Sequence, residues 1–293
     1  MASALERPLR IGTRGSPLAL AQAHMVAAAL KAVHGWTDAR IEIVPITTTG
    51  DLIQDRPLAE VGGKALWTKE LDHRLLDRRT DISVHSMKDV ETIRPDTLAI
   101  AAMLERADTR DRLIGAASIE ALAPGARVGT SSPRRTAQLL ARRPDLRAGP
   151  IRGNVQTRLA KVERGEFDAT LLAAAGLDRL GIALGAPLDL IPAPAQGAIG
   201  IEILAEREDL RVLLAAIDHR PTHAAVDAER AFLAALGGDC HSAVAARATG
   251  AVVSAEILSP DGGEVQAGEG APAALARDLL GRASPTLRAM FQR

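Results

Sequence analysis

The chain has 293 residues with 36 basic and 36 acidic side chains, so its formal net charge is zero and no overall field favours nucleic acid or an anionic membrane. Aromatic residues make up only 2% and tyrosine is absent, which removes the stacking platforms that proteins binding single-stranded nucleic acid use. One cysteine excludes an intramolecular disulfide and a cysteine-rich metal site, and no signal-type apolar segment follows MASALERPLR, so we expect a folded cytoplasmic protein without bound metal.

The first hundred residues alternate strand and helix patterns, as is typical of an α/β domain. Ser16 and Pro17 have the residue types of an N-cap and a first helical position, and they predict a helix that ends near Val33. The remaining predicted elements here are strands at LRIGT, IEIVPIT and TDISVHS and a helix at WTKELDHRLLD.

A second unit of the same kind follows. ARVGTS predicts a strand, and Ser132 and Pro133 predict the start of a helix over RRTAQLLARR. TRGSP at 13–17 and TSSPR at 130–134 are thus weakly similar in sequence. Each places small polar groups and an arginine at a helix N-terminus, where backbone amides and the helix dipole favour an anion.

Arginines are concentrated between residues 127 and 158, a stretch that contains eight arginines and only one acidic residue, Asp145. Three of them, Arg142, Arg143 and Arg147, lie toward a helix end and are expected on a solvated surface. Four further arginines lie at predicted strand ends and helix starts, where open α/β sheets bind ligands. They are Arg134, Arg135, Arg152 and Arg158. Guanidinium groups at such places indicate a small molecule with several carboxylates.

The stretch DISVHSMKDVET brings His85, Lys88 and Asp89 to the end of a predicted strand. Asp89 is either a cap or turn residue or a group that handles protons and stabilises a cation. His85 is expected to be structural. The long connection GDLIQDRPLAEVGGKALWTKEL, which contains Lys64 and Trp67, is either a mobile lid or a solvated loop.

The last third of the sequence changes pattern. PAPAQG at 192–197 is a hinge candidate, and GAIGIEIL predicts a strand that returns to the first domain or bridges the two. From Thr222 onward a helix, two strands with an Asp261-Gly262 turn, and terminal helices predict a small α+β domain. Cys240 falls in its Gly-rich loop, and a single cysteine of this kind is usually a buried, inert side chain.

Eight segments in the same order resemble the porphobilinogen deaminase family over nearly the whole chain. They are IGTRGSPLALAQA, VGGKALWTKEL, DISVHSMKDV, VGTSSPRRTAQL, IRGNVQTRL, AAAGLDRLG, PAQGAIGIE and ERAFLAALGGDCHSAV. Departures from the family pattern include Pro133, Trp67 and Glu91, the last of which stands where proline is frequent.

The resemblance implies two similar doubly wound α/β domains joined by a hinge, as in bilobal periplasmic binding proteins, plus a small C-terminal α+β domain. We expect domain 1 at 1–106 with 197–220, domain 2 at 107–196 and domain 3 at 221–293. It also implies a cytoplasmic monomer with the small molecule porphobilinogen as substrate, and neither nucleic acid nor membrane as a partner.

The resemblance further implies a dipyrromethane cofactor, bound to Cys240 through a thioether, onto which four porphobilinogen units are added with loss of ammonia. Hydrolysis between cofactor and product is then implied to release hydroxymethylbilane. Asp89 is the implied catalytic residue. The positions implied to hold cofactor carboxylates are Lys88, Asp89, Thr130, Ser132, Arg134, Arg135 and Arg158. The positions implied to bind substrate or the growing chain are Arg14, Ser16, Lys64, Arg152 and Arg179.

Two other classes of function fit parts of the sequence. A bilobal binding protein would also use two α/β domains with anion-holding helix ends, although the third domain with its thiol counts against it. A hydrolase with Cys240 as nucleophile and His241 as base is the other, but adjacent residues rarely form such a pair and no third member is evident.

Overall fold

A computed structural model describes residues 7–48, 65–237 and 242–291. The chain divides into two compact units, Met1–Ala107 with Ala198–His223 and Asp108–Gly197 with Ala224–Arg293. Within the described ranges, no helix combines the length and apolar character needed to cross a membrane.

Strands and helices cover most of the described chain. The strands are β1 Leu9–Arg14, β2 Ile41–Ile46, β3 Ile82–Ser86, β4 Leu98–Met103, β5 Asp111–Ile114, β6 Arg127–Gly129, β7 Arg147–Gly149, β8 Ala169–Ala173, β9 Ala186–Leu188, β10 Ile199–Leu204, β11 Ala243–Thr249, β12 Val252–Leu258 and β13 Val265–Gly270. The α-helices are α1 Pro17–His34, α2 Ala65–Leu76, α3 Pro133–Arg142, α4 Val155–Glu163, α5 Ala174–Arg179, α6 Glu208–Leu214, α7 Arg220–Leu236, α8 Pro272–Arg282 and α9 Pro285–Ala289.

The first unit is built on a five-stranded mixed sheet in the order β2-β1-β3-β10-β4. Strand β1 runs parallel to β2 and β3, whereas β10 runs antiparallel to both β3 and β4. Every residue of β10 is buried, because the sheet is covered on both faces. The segment GAIGIEIL therefore returns to the first sheet, which was one of its two predicted courses.

The second unit contains a five-stranded sheet with the same plan, in the order β7-β6-β8-β5-β9. Strand β6 is parallel to β7 and β8, and β5 is antiparallel to β8 and β9. In both sheets, three parallel strands are thus followed by an antiparallel strand. The likeness between TRGSP and TSSPR corresponds to this shared plan, since each segment lies at the carboxyl end of the central strand of its three parallel strands.

A small antiparallel sheet, β11-β12-β13, completes the second unit. It packs with α7, α8 and α9 around a core of its own that includes Phe232, Ile257 and Leu279. A separate group, Ala137, Ala243 and Leu258, joins the small sheet to α3. The predicted fold class, two α/β parts and a small C-terminal part with its own sheet, is confirmed. The division into three domains stays a prediction, because the two compact units do not separate the last two parts.

Candidate active site

In the first unit, the predicted site residues lie where parallel strands end. Strands β1 and β3 pair in parallel, with Gly12 opposite Ser83, so Arg14 and the β3 end reach the same edge of the sheet. Ser16 caps α1 as predicted, since its hydroxyl accepts a hydrogen bond from the Ala19 amide at 3.3 Å. Lys88 and Asp89 follow β3 in a single 3₁₀ turn and are partly exposed.

Hydrogen bonds fix this turn to its surroundings. The Gln22 side chain on α1 exchanges hydrogen bonds with the Ser86 hydroxyl at 2.8 and 3.1 Å. The Met87 amide donates to the carbonyl of Ala198 at 3.1 Å. The backbone that carries Lys88 and Asp89 is therefore held from two directions.

His85 is structural, in line with its interpretation from sequence. Its side chain is 6% exposed, and Nε2 lies 3.1 Å from a carboxylate oxygen of the fully buried Glu202 on β10. Glu202 was not predicted as a partner because it lies 117 residues further along the chain than His85, although its strand β10 pairs with β3 in the sheet. Burial works to raise the pKa of Glu202, but hydrogen bonds and charges from His85 and Arg94 lower it to about 2.

In the second unit, the loops after β6 and β7 are joined to each other. The Thr130 amide donates to the carbonyl of Gly149 at 2.8 Å. The Ser131 hydroxyl donates to the Ile151 carbonyl at 2.8 Å and accepts from the Ile151 amide at 3.2 Å. The two loops therefore bring Thr130, Ser132 and Arg152 to one edge of the sheet.

The RGN segment forms the start of α4. Asn154 is the N-cap, and its side chain accepts from the Thr157 amide at 2.9 Å. Gly153 has φ 106°, and a Cβ there would lie 2.5 Å from the Thr157 side chain, so this turn requires glycine. Arg158 donates from Nε to the Gly153 carbonyl at 3.0 Å, which holds its guanidinium beside the same turn.

Helix α3 starts at the predicted N-cap, Ser132, whose hydroxyl accepts from the Arg135 amide at 3.4 Å. Arg134 and Arg135 point into the unit and pair with the fully buried Asp111 at 2.8 and 2.7 Å. Gln196 adds a hydrogen bond to Asp111 at 2.8 Å.

Both guanidinium groups are thereby engaged within the protein. Arg135 also donates to the Leu171 carbonyl and Arg134 to Gln138. Burial works to raise the pKa of Asp111, but the charges of the two arginines outweigh it and lower the pKa far below its usual range. Arg134 retains a buried Nε without a hydrogen-bond partner among the described residues. Sequence patterns gave no signal for Asp111 or Gln196 as partners of these arginines.

Arg179 lies at the end of α5, the short helix that follows β8. Its Nη2 donates to the Gly197 carbonyl at 2.6 Å. Its buried Nε has no partner in the part of the chain that the structure describes. Desolvation lowers the pKa of Arg179 to about 10, since the nearby charge of Asp178 only partly opposes it.

Of the three arginines expected on a solvated surface, two are found there, whereas Arg143 is partly buried and donates from Nη1 to backbone carbonyls. Arg142 is exposed and Arg143 pairs with Asp145 at 2.7 Å, while Arg147 is also exposed. Three predicted features fall outside the described residues: Lys64, Cys240 and His241. The side chain of Trp67 falls outside them as well.

Comparison with known proteins gives a consistent result across the chain. Residues 9–212 match the family model for the porphobilinogen deaminase dipyrromethane cofactor binding domain. A porphobilinogen deaminase from Sphingopyxis alaskensis is 57% identical, with 98% of this chain and 97% of that protein covered. A porphobilinogen deaminase from Paracoccus denitrificans is 50% identical, with 95% of each chain covered.

Solved structures give weaker similarity. A periplasmic substrate-binding protein of an ABC transporter from Coxiella burnetii has a TM-score of 0.43 at 15% identity, covering 73% of this chain and 93% of that one. YhfZ from Shigella flexneri has a TM-score of 0.41 at 16% identity, covering 77% and 94%.

Proposed function

The chain belongs to the porphobilinogen deaminase family, and on that premise we propose that it condenses four porphobilinogen molecules head to tail onto a covalently bound dipyrromethane, with loss of one ammonia at each step. One water then hydrolyses the bond between cofactor and product and releases hydroxymethylbilane. The enzyme class is that of a transferase. The cytoplasmic location, the monomeric state and the three-domain division are part of the same proposal.

The observation that carries this proposal is the chemistry of the donors at the sheet edges. Porphobilinogen carries an acetate and a propionate, so the substrate and the growing chain present many carboxylates. Arg179 offers a desolvated guanidinium whose Nε has no partner in the described chain, and such a group favours an anionic ligand. The capped N-termini of α1, α3 and α4 supply further donors for anions.

These donors also fit the family's dipyrromethane cofactor, which bears carboxylates of the same kind. When bound, the cofactor supplies a covalent primer to which substrate units are added. We assign its attachment to Cys240 through a thioether. The residues that would hold its carboxylates are Lys88, Thr130, Ser132, Arg134, Arg135 and Arg158, together with Asp89 at the pyrrole nitrogens.

Arg134 and Arg135 have a structural task besides this one. Asp111 holds both side chains in place, so their orientation is set before any ligand arrives. Each guanidinium has five N–H donors. The Nε of Arg134 is buried and has no partner among the described residues, so a cofactor carboxylate would have to be bound through other nitrogens of the two guanidinium groups.

Asp89 is the proposed catalytic residue. Loss of ammonia from porphobilinogen leaves a cation that a nearby carboxylate stabilises. The same carboxyl group protonates the leaving amine. The free α-carbon of the chain's terminal pyrrole then forms a bond to the methylene carbon of the cation, and the Asp89 carboxylate takes up the proton that this pyrrole loses as it regains aromaticity. Substrate carboxylates would be bound by Arg14, Ser16, Lys64, Arg152 and Arg179.

The first test is the intact mass of the denatured, purified protein beside a Cys240→Ala variant. We expect the parent to exceed its sequence mass by two porphobilinogen units less two ammonias, and the variant to show no excess. A Cys240→Ser variant controls for loss of the small side chain, because serine keeps a hydroxyl but forms no thioether.

A parent protein that stays unmodified after incubation with porphobilinogen would contradict the proposal. Reversible binding of porphobilinogen without turnover would then favour the bilobal binding protein instead.

A further inference from the structure

The first unit contains a buried ion-pair network beside the turn that carries Lys88 and Asp89. Arg94 is its centre, and its guanidinium contacts three carboxylates. Nε and Nη2 donate to Glu202 at 2.8 and 3.0 Å, Nη2 donates to Asp72 at 2.6 Å, and Nη1 donates to Glu91 at 2.5 Å. We call these four residues the Arg94 network.

The network joins three parts of the first unit. Asp72 belongs to α2 and Glu202 to β10, whereas Glu91 and Arg94 lie in the segment after β3. Thr68, one helical turn before Asp72, donates from its hydroxyl to Glu91 at 3.1 Å. Helix α2 and the segment after Asp89 are therefore fixed to each other by two adjacent contacts.

Burial gives these contacts their strength. The side chain of Arg94 is 8% exposed, that of Asp72 15% and that of Glu202 0%. Hydrogen bonds and charges from Glu202 and Asp72 outweigh the effect of burial and raise the pKa of Arg94, so it is always a cation. The contact with Glu202 is bidentate and shielded, and such a contact restricts geometry far more than an exposed ion pair does. The Glu91 side chain is 34% exposed and adds a single hydrogen bond at the edge of the network.

The Lys88-Asp89 turn is enclosed between two anchors. On its N-terminal side, His85 is bonded to Glu202, and Met87 is buried against Gly200. A Cβ at Gly200 would lie 2.1 Å from the Met87 sulfur, so this close approach requires glycine. On the C-terminal side, Glu91 is bonded to Arg94, which holds the same carboxylate of Glu202.

We propose that Arg94 is a positioning residue for the reaction, because it fixes the C-terminal side of the Asp89 turn to the buried carboxylate that also holds His85 on the N-terminal side, and because it couples that turn to α2. This inference rests on the proposed function, in which Asp89 moves protons. A displacement of about 1 Å at a reacting group is enough to lower a rate by two orders of magnitude. We therefore expect loss of the Arg94 network to slow turnover even when the protein stays folded and carries its cofactor.

The test compares Arg94→Ala and Glu91→Ala with the parent holoenzyme, using cofactor mass, melting temperature, kcat and KM. For Arg94→Ala we expect kcat to fall by at least about tenfold with cofactor retained and KM changed by less than about threefold. For Glu91→Ala, which leaves Arg94 paired with Asp72 and Glu202, we expect a fall in kcat of about three- to tenfold. Arg78→Gln is the matched control, because its ion pair with Glu206 is exposed on both sides.

A second measurement uses guanidinium chloride at low millimolar concentration with Arg94→Ala, against potassium chloride at equal ionic strength. We expect guanidinium alone to restore part of kcat, since it fits among the three carboxylates that the missing side chain leaves behind. If Arg94→Ala has a lower melting temperature than the parent but the same kcat, Arg94 has a structural role only and the proposal is overturned.

If Arg94→Ala does not fold, the Glu91→Ala variant tests the positioning role instead. An unchanged kcat in folded, loaded Glu91→Ala would overturn the proposal, as would an equal loss in Arg78→Gln. A parent without cofactor mass or turnover would instead contradict the proposed function itself, and the positioning role would fall with it.

Discussion

At the scale of single residues, Asp111 stabilises the two buried arginines at the start of α3, Arg134 and Arg135, inside the second unit. One fully buried carboxylate neutralises part of the charge of two guanidinium groups and receives a further hydrogen bond from Gln196. Two buried arginines without that carboxylate would repel each other in a medium of low polarity. Removing one partner from a buried ion pair destabilises a protein more than replacing all its partners by apolar residues, because the remaining charge stays buried without compensation.

We therefore predict that Asp111→Asn lowers the free energy of unfolding by about 3 kcal/mol, as measured by urea denaturation. The matched control is Asp278→Asn, whose ion pair with Arg282 is exposed on both sides and whose loss should change stability little. Equal stability of the two variants would show that Asp111 does not hold the arginines in solution.

A second prediction at this scale concerns Asp89. We expect Asp89→Asn to lower kcat by at least about 100-fold, since an amide neither gives nor takes a proton and positioned proton transfer contributes that much. Asp89→Glu should retain more activity, because it keeps the carboxyl group. The comparison is made by rapid-quench measurement of ammonia release, with exposed Asp96→Asn as control.

An Asp89→Asn enzyme with parental turnover would exclude proton transfer at this position. A parallel loss in Asp96→Asn would point to the segment as a whole rather than to the Asp89 carboxyl group.

Which residues were predictable follows from how local their interactions are. Ser16 and Ser132 were identified as N-caps because a cap bonds an amide only three residues ahead. The arginines at helix starts and ends were placed correctly because their positions follow from the local helix pattern. Asp111 and Glu202 were missed, because their partners come together only when the sheets form. Glu202 and His85 are 117 residues apart, and no local pattern specifies that contact.

At the scale of elements, the helix N-termini link stability to ligand binding. Ser132 begins α3 at the carboxyl edge of the sheet, where its hydroxyl satisfies one amide. Because Pro133 has no N–H, the Arg134 amide is the one amide in the described first turn that stays available to an anion. Ser284 caps α9 in the small C-terminal part in the same way, accepting from Leu287 at 3.2 Å.

We predict that Ser132→Ala lowers stability by about 1 kcal/mol and also raises KM for porphobilinogen or weakens retention of the cofactor. Ser284→Ala should lower stability, through loss of its cap and of its bond to Glu264, and leave KM unchanged. Thermal unfolding and steady-state kinetics on both variants make the comparison. If the two variants change KM alike, the start of α3 has no special part in ligand binding.

Elements were predictable where apolar runs or caps were strong. Strands β1, β2 and β3 and helices α1 and α3 lie where the sequence predicts them. Several strands were not assigned from sequence, among them β7 and β9, which have only three residues each. Strand β13, VQAGEG, alternates between exposed and partly buried positions without a buried apolar face. Pairing with a neighbouring strand, rather than intrinsic preference, forms such segments.

At the scale of the whole molecule, the main regularity is the shared plan of the two five-stranded sheets. The sequence hinted at it only through TRGSP and TSSPR, because the plan lies in strand order and direction while the side chains have diverged. Each sheet carries a buried carboxylate that pairs with arginine, Glu202 with Arg94 in the first unit and Asp111 with Arg134 and Arg135 in the second. Both are on or at the antiparallel strand that borders the parallel trio, a relation that appears only when the sheets are compared as wholes.

This arrangement makes the stability of the first unit depend on pH in a definite direction. Its folded state holds the pKa of Glu202 at about 2, below an unfolded value of about 4.3. A lowered carboxyl pKa stabilises the fold above the unfolded value, and that contribution is lost as pH falls from about 5 toward 2. The contribution amounts to roughly 3 kcal/mol at neutral pH. Asp72 acts in the opposite sense, because burial and the charge of Glu202 raise its pKa.

We therefore predict that the parent melts well above Glu202→Gln at pH 7 and that the two melting temperatures converge as pH approaches 2 to 3. The glutamine keeps the size of the side chain and leaves Arg94 paired with Asp72 and Glu91, so the variant loses the charge without losing the other contacts. Differential scanning calorimetry over a pH series gives the comparison, and Glu206→Gln, at an exposed ion pair, is the control. A constant difference between parent and Glu202→Gln at every pH would mean that the carboxylate charge contributes nothing, and that Glu202 serves only through its shape and its hydrogen bonds.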